Sequence, residues 1–213
     1  GECQRDPMLA VCLDLEGILV PEVWINVAER TGIDDLRRTT RDEPDYDHLM
    51  SYRLSILDAN NITIDEITSA IESMEPLKGA RYFLESLERR WPTIILSDTF
   101  SQFAHPMMTQ LGHPTLFCHT LVIDASGRIF DWKIRTEDQK RKTVMALREM
   151  SFEVIAVGDS YNDTSMLSAA SAGILLNPPD NVAEEFPQYP VTHDYVELME
   201  AIESVATDLG ELW

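Results

Sequence analysis

No stretch of this chain reaches the roughly 18 consecutive apolar residues a membrane helix requires. No charged-then-apolar leader opens it, so the expected compartment is the cytoplasm. Cysteine is scarce. Cys3, Cys12 and Cys118 are odd in number and lack metal-ligand spacing, which argues against a disulfide framework or a zinc site. Cys12 lies in an apolar run and reads as a packed thiol. Basic residues are few, 17 against 37 acidic ones, for a net charge of −20. That balance argues against nucleic acid and anionic membrane surfaces as partners. If the substrate is an anion, its pocket must be positive against the field of the whole chain, through a bound divalent cation and a few placed Lys and Arg. Internal repeats and low-complexity segments are missing as well.

What remains is enough for a real core. The chain has 213 residues, 44% of them hydrophobic, which suits one domain with an insertion or two small ones. Short β-rich apolar runs at Leu9–Leu13, Thr93–Leu96, Val154–Val157 and Gly173–Leu176 alternate with helical patterns. Those patterns lie near Ala80–Arg89, Phe100–Leu111, Arg141–Met150, Thr164–Ala170 and Tyr195–Val205. The alternation predicts an α/β fold, a Rossmann-like doubly wound parallel sheet covered on both faces. Phe117–Ile123 and Trp132–Arg135 flank the turn signal Asp124–Arg128 and predict a β-hairpin on that sheet. About 55 residues after the first strand carry helical periodicity, in Leu49, Leu54, Ile56 and Leu57 and again in Ile64, Ile67 and Ile71. Pro76–Gly79 marks the return. The expected division is a core of residues 8–21 and 77–213 with an inserted helical cap of residues 22–76, above the strand ends where open α/β sheets bind ligands.

Chemistry-bearing residues cluster at the ends of the apolar runs. Asp14 and Glu16 follow the first strand, an arrangement poor for a core and good for phosphoryl transfer, one acid attacking phosphorus while the other handles a proton. Ser97, Asp98 and Thr99 follow the second. Lys140-Arg141-Lys142 opens a helix. Gly158-Asp159-Ser160-Tyr161-Asn162-Asp163 ends the run Val154–Val157. Each has an ordinary alternative. Ser97 or Asp98, and Asn162 or Asp163, could cap the following helix. The basic cluster could be a solvated face for two of its members, and Glu16 a loop acid. Strand ends of a parallel sheet converge on one edge, however, so these groups are expected to meet.

With these motifs the chain resembles the haloacid dehalogenase superfamily, and within it the phosphoserine phosphatase family. The likeness is greatest to its bifunctional subgroup of phosphoserine phosphatases that are also phosphoserine:homoserine phosphotransferases. The matching segments are Asp14–Glu22, Thr40–Asp47, Leu96–Phe100 and Gly158–Thr164, within a span from about Met8 to about Tyr195. The first seven residues match nothing in it. Ordinary phosphoserine phosphatases carry Asp-x-Asp and Ser-Gly-Gly where this chain has Asp14-Leu15-Glu16 and Ser97-Asp98-Thr99; both variants match the subgroup.

The resemblance implies a Mg²⁺-dependent enzyme in which Asp14 forms an aspartyl-phosphate and Glu16 protonates the leaving serine oxygen. It implies Mg²⁺ on Asp14, Asp159 and the Glu16 backbone carbonyl, with Asp163 and Asn162 orienting the metal shell and the lysine, Asp163 counted with the metal site and Asn162 with the substrate site. Ser97 and Lys140 would hold phosphoryl oxygens. Glu22 would meet the α-amino group and Arg53 the α-carboxylate of phosphoserine; the alternative for Arg53 is a surface ion pair. Arg37, Arg38 and Arg41 could also face the pocket. Residue types leave open whether water or homoserine is the acceptor; Asp98 and Thr99 put polar atoms where an acceptor could be recognised. Oligomeric state is open, a homodimer included. Rival readings are a phosphatase of another small metabolite, a phospho-receiver and a non-catalytic binding protein.

Overall fold

A computed structural model describes residues 6–210, so Cys3 lies outside the described residues. Strand β1 (Met8–Leu13) is the centre of a seven-stranded sheet. Helices α1 (Val23–Thr31), α2 (Tyr46–Ala59) and α3 (Ile64–Glu72) follow it, then α4 (Ala80–Glu88), β2 (Thr93–Phe100) and α5 (Ser101–Gln110). A hairpin of β3 (Leu116–Ile123) and β4 (Ile129–Lys133) leads to α6 (Gln139–Glu149) and β5 (Phe152–Gly158). The chain ends with α7 (Thr164–Ala169), β6 (Ala172–Leu176), α8 (Asp180–Glu185), β7 (Val191–Thr192) and α9 (Tyr195–Asp208). The spatial order is β4-β3-β2-β1-β5-β6-β7, parallel except for β4.

The winding is legible in side-chain alternation. Leu9, Val11 and Leu13 of β1 point into one apolar layer with Phe83 and Leu84 of α4 and Leu198 and Ile202 of α9. Cys12 points into the other, with Val144 of α6, Met166 and Leu167 of α7 and Val182 of α8. Period-two residues on a strand buried on both faces require helices on both sides. The order reverses beside β1: the chain leaves it toward β2 and β3, then returns to its other edge with β5. Asp14 and Asp159 stand at the carboxyl ends of β1 and β5, at this switch point.

Three expectations need correction. Strand β2 does not end at Leu96; it runs to Phe100, and α5 starts at Ser101. The pairing skips, with Leu96 opposite Phe117 but Phe100 opposite His119, so residues 97–99 face a single residue of β3. Accordingly Ser97 and Asp98 do not cap α5, whose N-cap is Phe100. The second hairpin strand begins at Ile129, because the Asp124 side chain closes the turn early by accepting from the Ser126 and Arg128 backbone N–H groups. The last correction concerns short elements: β7 and α8 carry too few residues to show a periodicity and were not expected.

The segment after β1 is helical. Trp24 of α1 meets Phe103 of α5 edge-on, with centroids 5.4 Å apart. The Ile64 N–H donates to the Gly127 carbonyl, and Arg128 pairs with Asp58 at 2.6 Å, tying α2 and α3 to the hairpin turn.

Candidate active site

A cavity of about 130 Å³ opens over the carboxyl ends of β1, β2 and β5. Asp14, Glu16, Glu22, Arg53, Ser97, Asp98, Thr99, Lys140, Asp159 and Asn162 all line it, residues that the sequence scatters over four motifs and the helical insertion. Asp163 lies beneath, fully buried.

Lys140 is the electrostatic centre. Its ammonium nitrogen is 3.1 Å from Asp14 Oδ1 and 2.8 Å from Asp163 Oδ1. Burial alone would push the ammonium toward its neutral form, but Asp14, Asp163 and Asp98 outweigh it and hold its pKa well above the ordinary lysine value. Asp14 Oδ1 also accepts the Leu15 N–H at 2.8 Å, which fixes the carboxylate plane. Burial, then the neighbouring Asp163, push the Asp14 carboxyl upward despite Lys140. The same two causes push Asp159 to about 7.

Asp163 is a brace. One oxygen accepts from Lys140; the other accepts the N–H groups of Asp159 and Ser160, at 3.0 and 3.2 Å. Asp14, Asp159 and Asp163 each offer an oxygen within 4.8 Å of the others, a set that could hold a metal ion. Three carboxylates against one ammonium leave a charge excess that a divalent cation would offset. The Glu16 carboxyl is not among the three. Burial, followed by Glu22, lifts it to about 7, while Arg53 and Lys140 oppose the lift.

Ser97 is buried, and its Oγ accepts the Thr99 N–H at 3.1 Å. Of the basic cluster only Lys140 is buried: Arg141 pairs with Asp138 at the surface, and Lys142 donates to Thr136. Asn162 donates to Thr40 at 2.6 Å, linking the loop after β5 to the segment before α2.

Arg53 is not in a surface ion pair. It is buried on α2, with its guanidinium 4.5 Å from the centroid of the Trp24 ring. One terminal nitrogen donates to the Arg38 carbonyl, and Nε has no partner. Burial lowers its pKa to about 10 against the pull of Glu16 and Glu22. Glu22 pairs with Arg41 at 3.6 Å, and both line the cavity. Arg37 pairs with Glu29 and Asp34, and Arg38 lies over Tyr52, so neither lines it.

Sequence reasoning missed Trp24, Tyr46, His119 and Gln139. The Tyr46 hydroxyl donates to the Asp98 carbonyl at 2.8 Å, and Gln139 donates to the Ser97 carbonyl. Gln139 sits next to Lys140 and could have been flagged by position; His119, in the middle of a hairpin strand, gave no signal.

A buried carboxylate pair, Asp14 and Asp159, at the switch point of a doubly wound sheet, with a lysine bonded to Asp14 and to the bracing Asp163, defines a phosphoryl-transfer class of hydrolase. The family model of haloacid dehalogenase-like hydrolases matches residues 14–168, and the chain belongs to that family. It is 53% identical over 191 residues to the phosphoserine phosphatase ThrH of Pseudomonas aeruginosa, covering 90% of this chain and 93% of that one. A phosphoserine phosphatase of Pseudomonas syringae pv. tomato is 50% identical over 198 residues, covering 93% and 82%. Among solved structures, the apo form of a phosphoserine phosphatase aligns with a TM-score of 0.74 at 19% identity, covering 93% of this chain and 98% of that one. The phospho-aspartyl intermediate analogue of a phosphoserine phosphatase aligns equally well, TM-score 0.74 at 17% identity, covering 92% and 99%. At those identities the structures speak for the fold.

Proposed function

We propose that the chain takes the phosphoryl group from L-phosphoserine onto Asp14 and passes it to water, and in a second reading to the hydroxyl of homoserine. The observation that carries the substrate is Arg53. A buried guanidinium with an unpartnered Nε shares a cavity with a nucleophile-grade carboxylate, which suits a ligand bearing a carboxylate at one end and a phosphate at the other. The names of the two Pseudomonas relatives support the same reading.

Asp14 Oδ1 is held by Leu15 and Lys140, which leaves Oδ2 to attack phosphorus. Glu16, half-protonated near neutral pH, gives its proton to the departing serine oxygen and takes one back from the acceptor. Ser97 and Lys140 stabilise the charge on the transferring group. The hard oxygen donors Asp14 and Asp159, braced by Asp163, fit Mg²⁺, which when bound offsets the charge between nucleophile and phosphate. Residues 22–76 act as the cap, supplying Glu22 and Arg53 to the amino and carboxylate ends, and Asn162 docks the cap through Thr40. The unpaired thiols Cys12 and Cys118 support a cytoplasmic setting.

The test is phosphoserine with Mg²⁺, assayed for free phosphate, with homoserine added in a second series assayed for phosphohomoserine. Phosphate release that Asp14→Asn abolishes is the expected result. No turnover of phosphoserine, or normal turnover by Asp14→Asn, overturns the assignment. Free phosphate alone at every homoserine concentration removes the second reading.

A further inference from the structure

We propose that Asp98 selects the phosphoryl acceptor by receiving the ammonium group of an amino-bearing alcohol, and that His119 is the residue that positions it. This rests on the phosphoryl-transfer reading above and assigns its second half to residues.

The bulge in β2 lifts residues 97–99 out of the ladder with β3. Side chains from three elements then hold it. Gln139 of α6 donates to the Ser97 carbonyl, Tyr46 of α2 to the Asp98 carbonyl, and His119 of β3 to the Asp98 side chain. The His119 tautomer follows from its second nitrogen. Nδ1 accepts the Arg135 N–H at 3.0 Å, so Nε2 carries the proton and donates to Asp98 Oδ1 at 3.1 Å. Gln139 reaches the same oxygen at 3.2 Å. Asp98 Oδ2 takes no hydrogen bond among the described residues, and the side chain is 45% exposed. One oxygen is anchored and the other is offered.

The place where it is offered is the junction of two cavities. The first, over Asp14, carries Arg41, Arg53 and Lys140 and suits the anionic donor. The second, of about 330 Å³, shares Asp98, Tyr46, Lys140 and Asn162 with it. Its other wall carries Asp45, Asp47, Glu137 and Asp138, and its only lysine or arginine is Lys140, already bonded to Asp14 and Asp163. Both linings carry more acids than bases, but the second lacks the Arg41 and Arg53 that offset the acids of the first, so a cation is favoured on the second. Asp98 remains an anion there: burial would raise its pKa, but the His119 and Gln139 hydrogen bonds and the Lys140 charge bring it to about 2.

An alcohol anchored by its ammonium on Asp98 brings its hydroxyl toward the aspartyl-phosphate. The hydroxyl oxygen forms a bond to phosphorus, the bond from phosphorus to the Asp14 oxygen breaks, Asp14 leaves as a carboxylate, and the hydroxyl proton goes to Glu16.

Ethanolamine and ethylene glycol, equal in heavy atoms and differing in the ammonium, test this with phosphoserine as donor. The readout is phosphate ester formed per free phosphate, which does not depend on how fast the phosphoenzyme forms. The wild type is expected to favour ethanolamine by about tenfold or more, the effect of one modest charged contact. Asp98→Asn and His119→Leu should each bring the two acceptors close to parity, and His119→Gln, whose amide can still donate to Oδ1, should keep part of the preference. A merely structural role for His119 would depress both acceptors alike and leave their ratio unchanged. Equal use of the two alcohols by the wild type, or a preference that survives both Asp98→Asn and His119→Leu, overturns the proposal. Should either variant fail to fold, the wild-type ratio and His119→Gln still decide it. Absence of free phosphate from phosphoserine in the wild type would instead strike the underlying reading.

Discussion

Gly17 lies against the Asp159 carboxylate, in space that a Cβ at position 17 would have to share with it. Gly17 also has a φ of +83°, a conformation that costs an L side chain about 1–2 kcal/mol. Gly17 is thus part of the carboxylate site, although it offers no chemistry of its own. Gly17→Ala is expected to keep the fold by circular dichroism and to lose about 10- to 100-fold in metal-dependent phosphate release, the range seen when a ligand's support is removed. Activity within about twofold of wild type would mean that Asp159 has no fixed place to keep.

Lys140 and Lys142 lie two residues apart on α6 and face different surroundings. Lys140→Met should cost about 10²- to 10³-fold in kcat, because the buried charge proposed to stabilise the transferring group is gone. Lys142→Met should change kcat by less than about twofold, since its ammonium only reaches Thr136 at the surface. Equal losses in the two variants would contradict the assignment of the phosphate contact to Lys140.

The elements that could be read from the sequence are those whose signal is local. Leu9–Leu13 and Val154–Val157 are apolar runs that a parallel sheet must bury, and the acids after them fall on its carboxyl edge whatever the details. Ser97 could be named for the same reason, but not its bulge, which exists only because β3 pairs on both sides of it. Arg53 illustrates the opposite limit. On helical periodicity a charged residue on α2 belongs outside; it is buried because Trp24, on another helix, supplies a ring for the guanidinium to lie on. His119 was illegible because its partner, Asp98, is 21 residues away.

Arg53→Met is expected to raise KM for phosphoserine by about 10- to 100-fold, the equivalent of about 1.5–3 kcal/mol for a charged hydrogen bond. Lys at this position should recover little, because a point charge cannot replace a planar fork resting on Trp24. Phosphoethanolamine, which lacks the carboxylate, separates binding from packing: its KM should be nearly the same for wild type and Arg53→Met. A parallel rise for both substrates would show that the substitution damages the cavity and not one contact.

The carboxylate cluster gives the protein a stability that depends on pH and on metal together. Burial and Asp163 raise the Asp159 pKa from 3.8 to about 7 in the folded chain, and Asp14 is raised as well. The folded state thus holds protons that the unfolded state has released. Its extra stability is complete below the ordinary carboxylate value and is lost as pH rises through about 7. In chelator, Tm should therefore fall as pH rises from about 4 to about 7. Mg²⁺ competes with protons for the same oxygens, so the rise in Tm that it produces should grow over the same interval. Scanning calorimetry with and without Mg²⁺ at several pH values measures both slopes. Asp159→Asn should flatten the two together, because the amide can neither titrate nor repel Asp163. A magnesium effect independent of pH, or one that Asp159→Asn retains in full, would place the ion elsewhere than among these carboxylates.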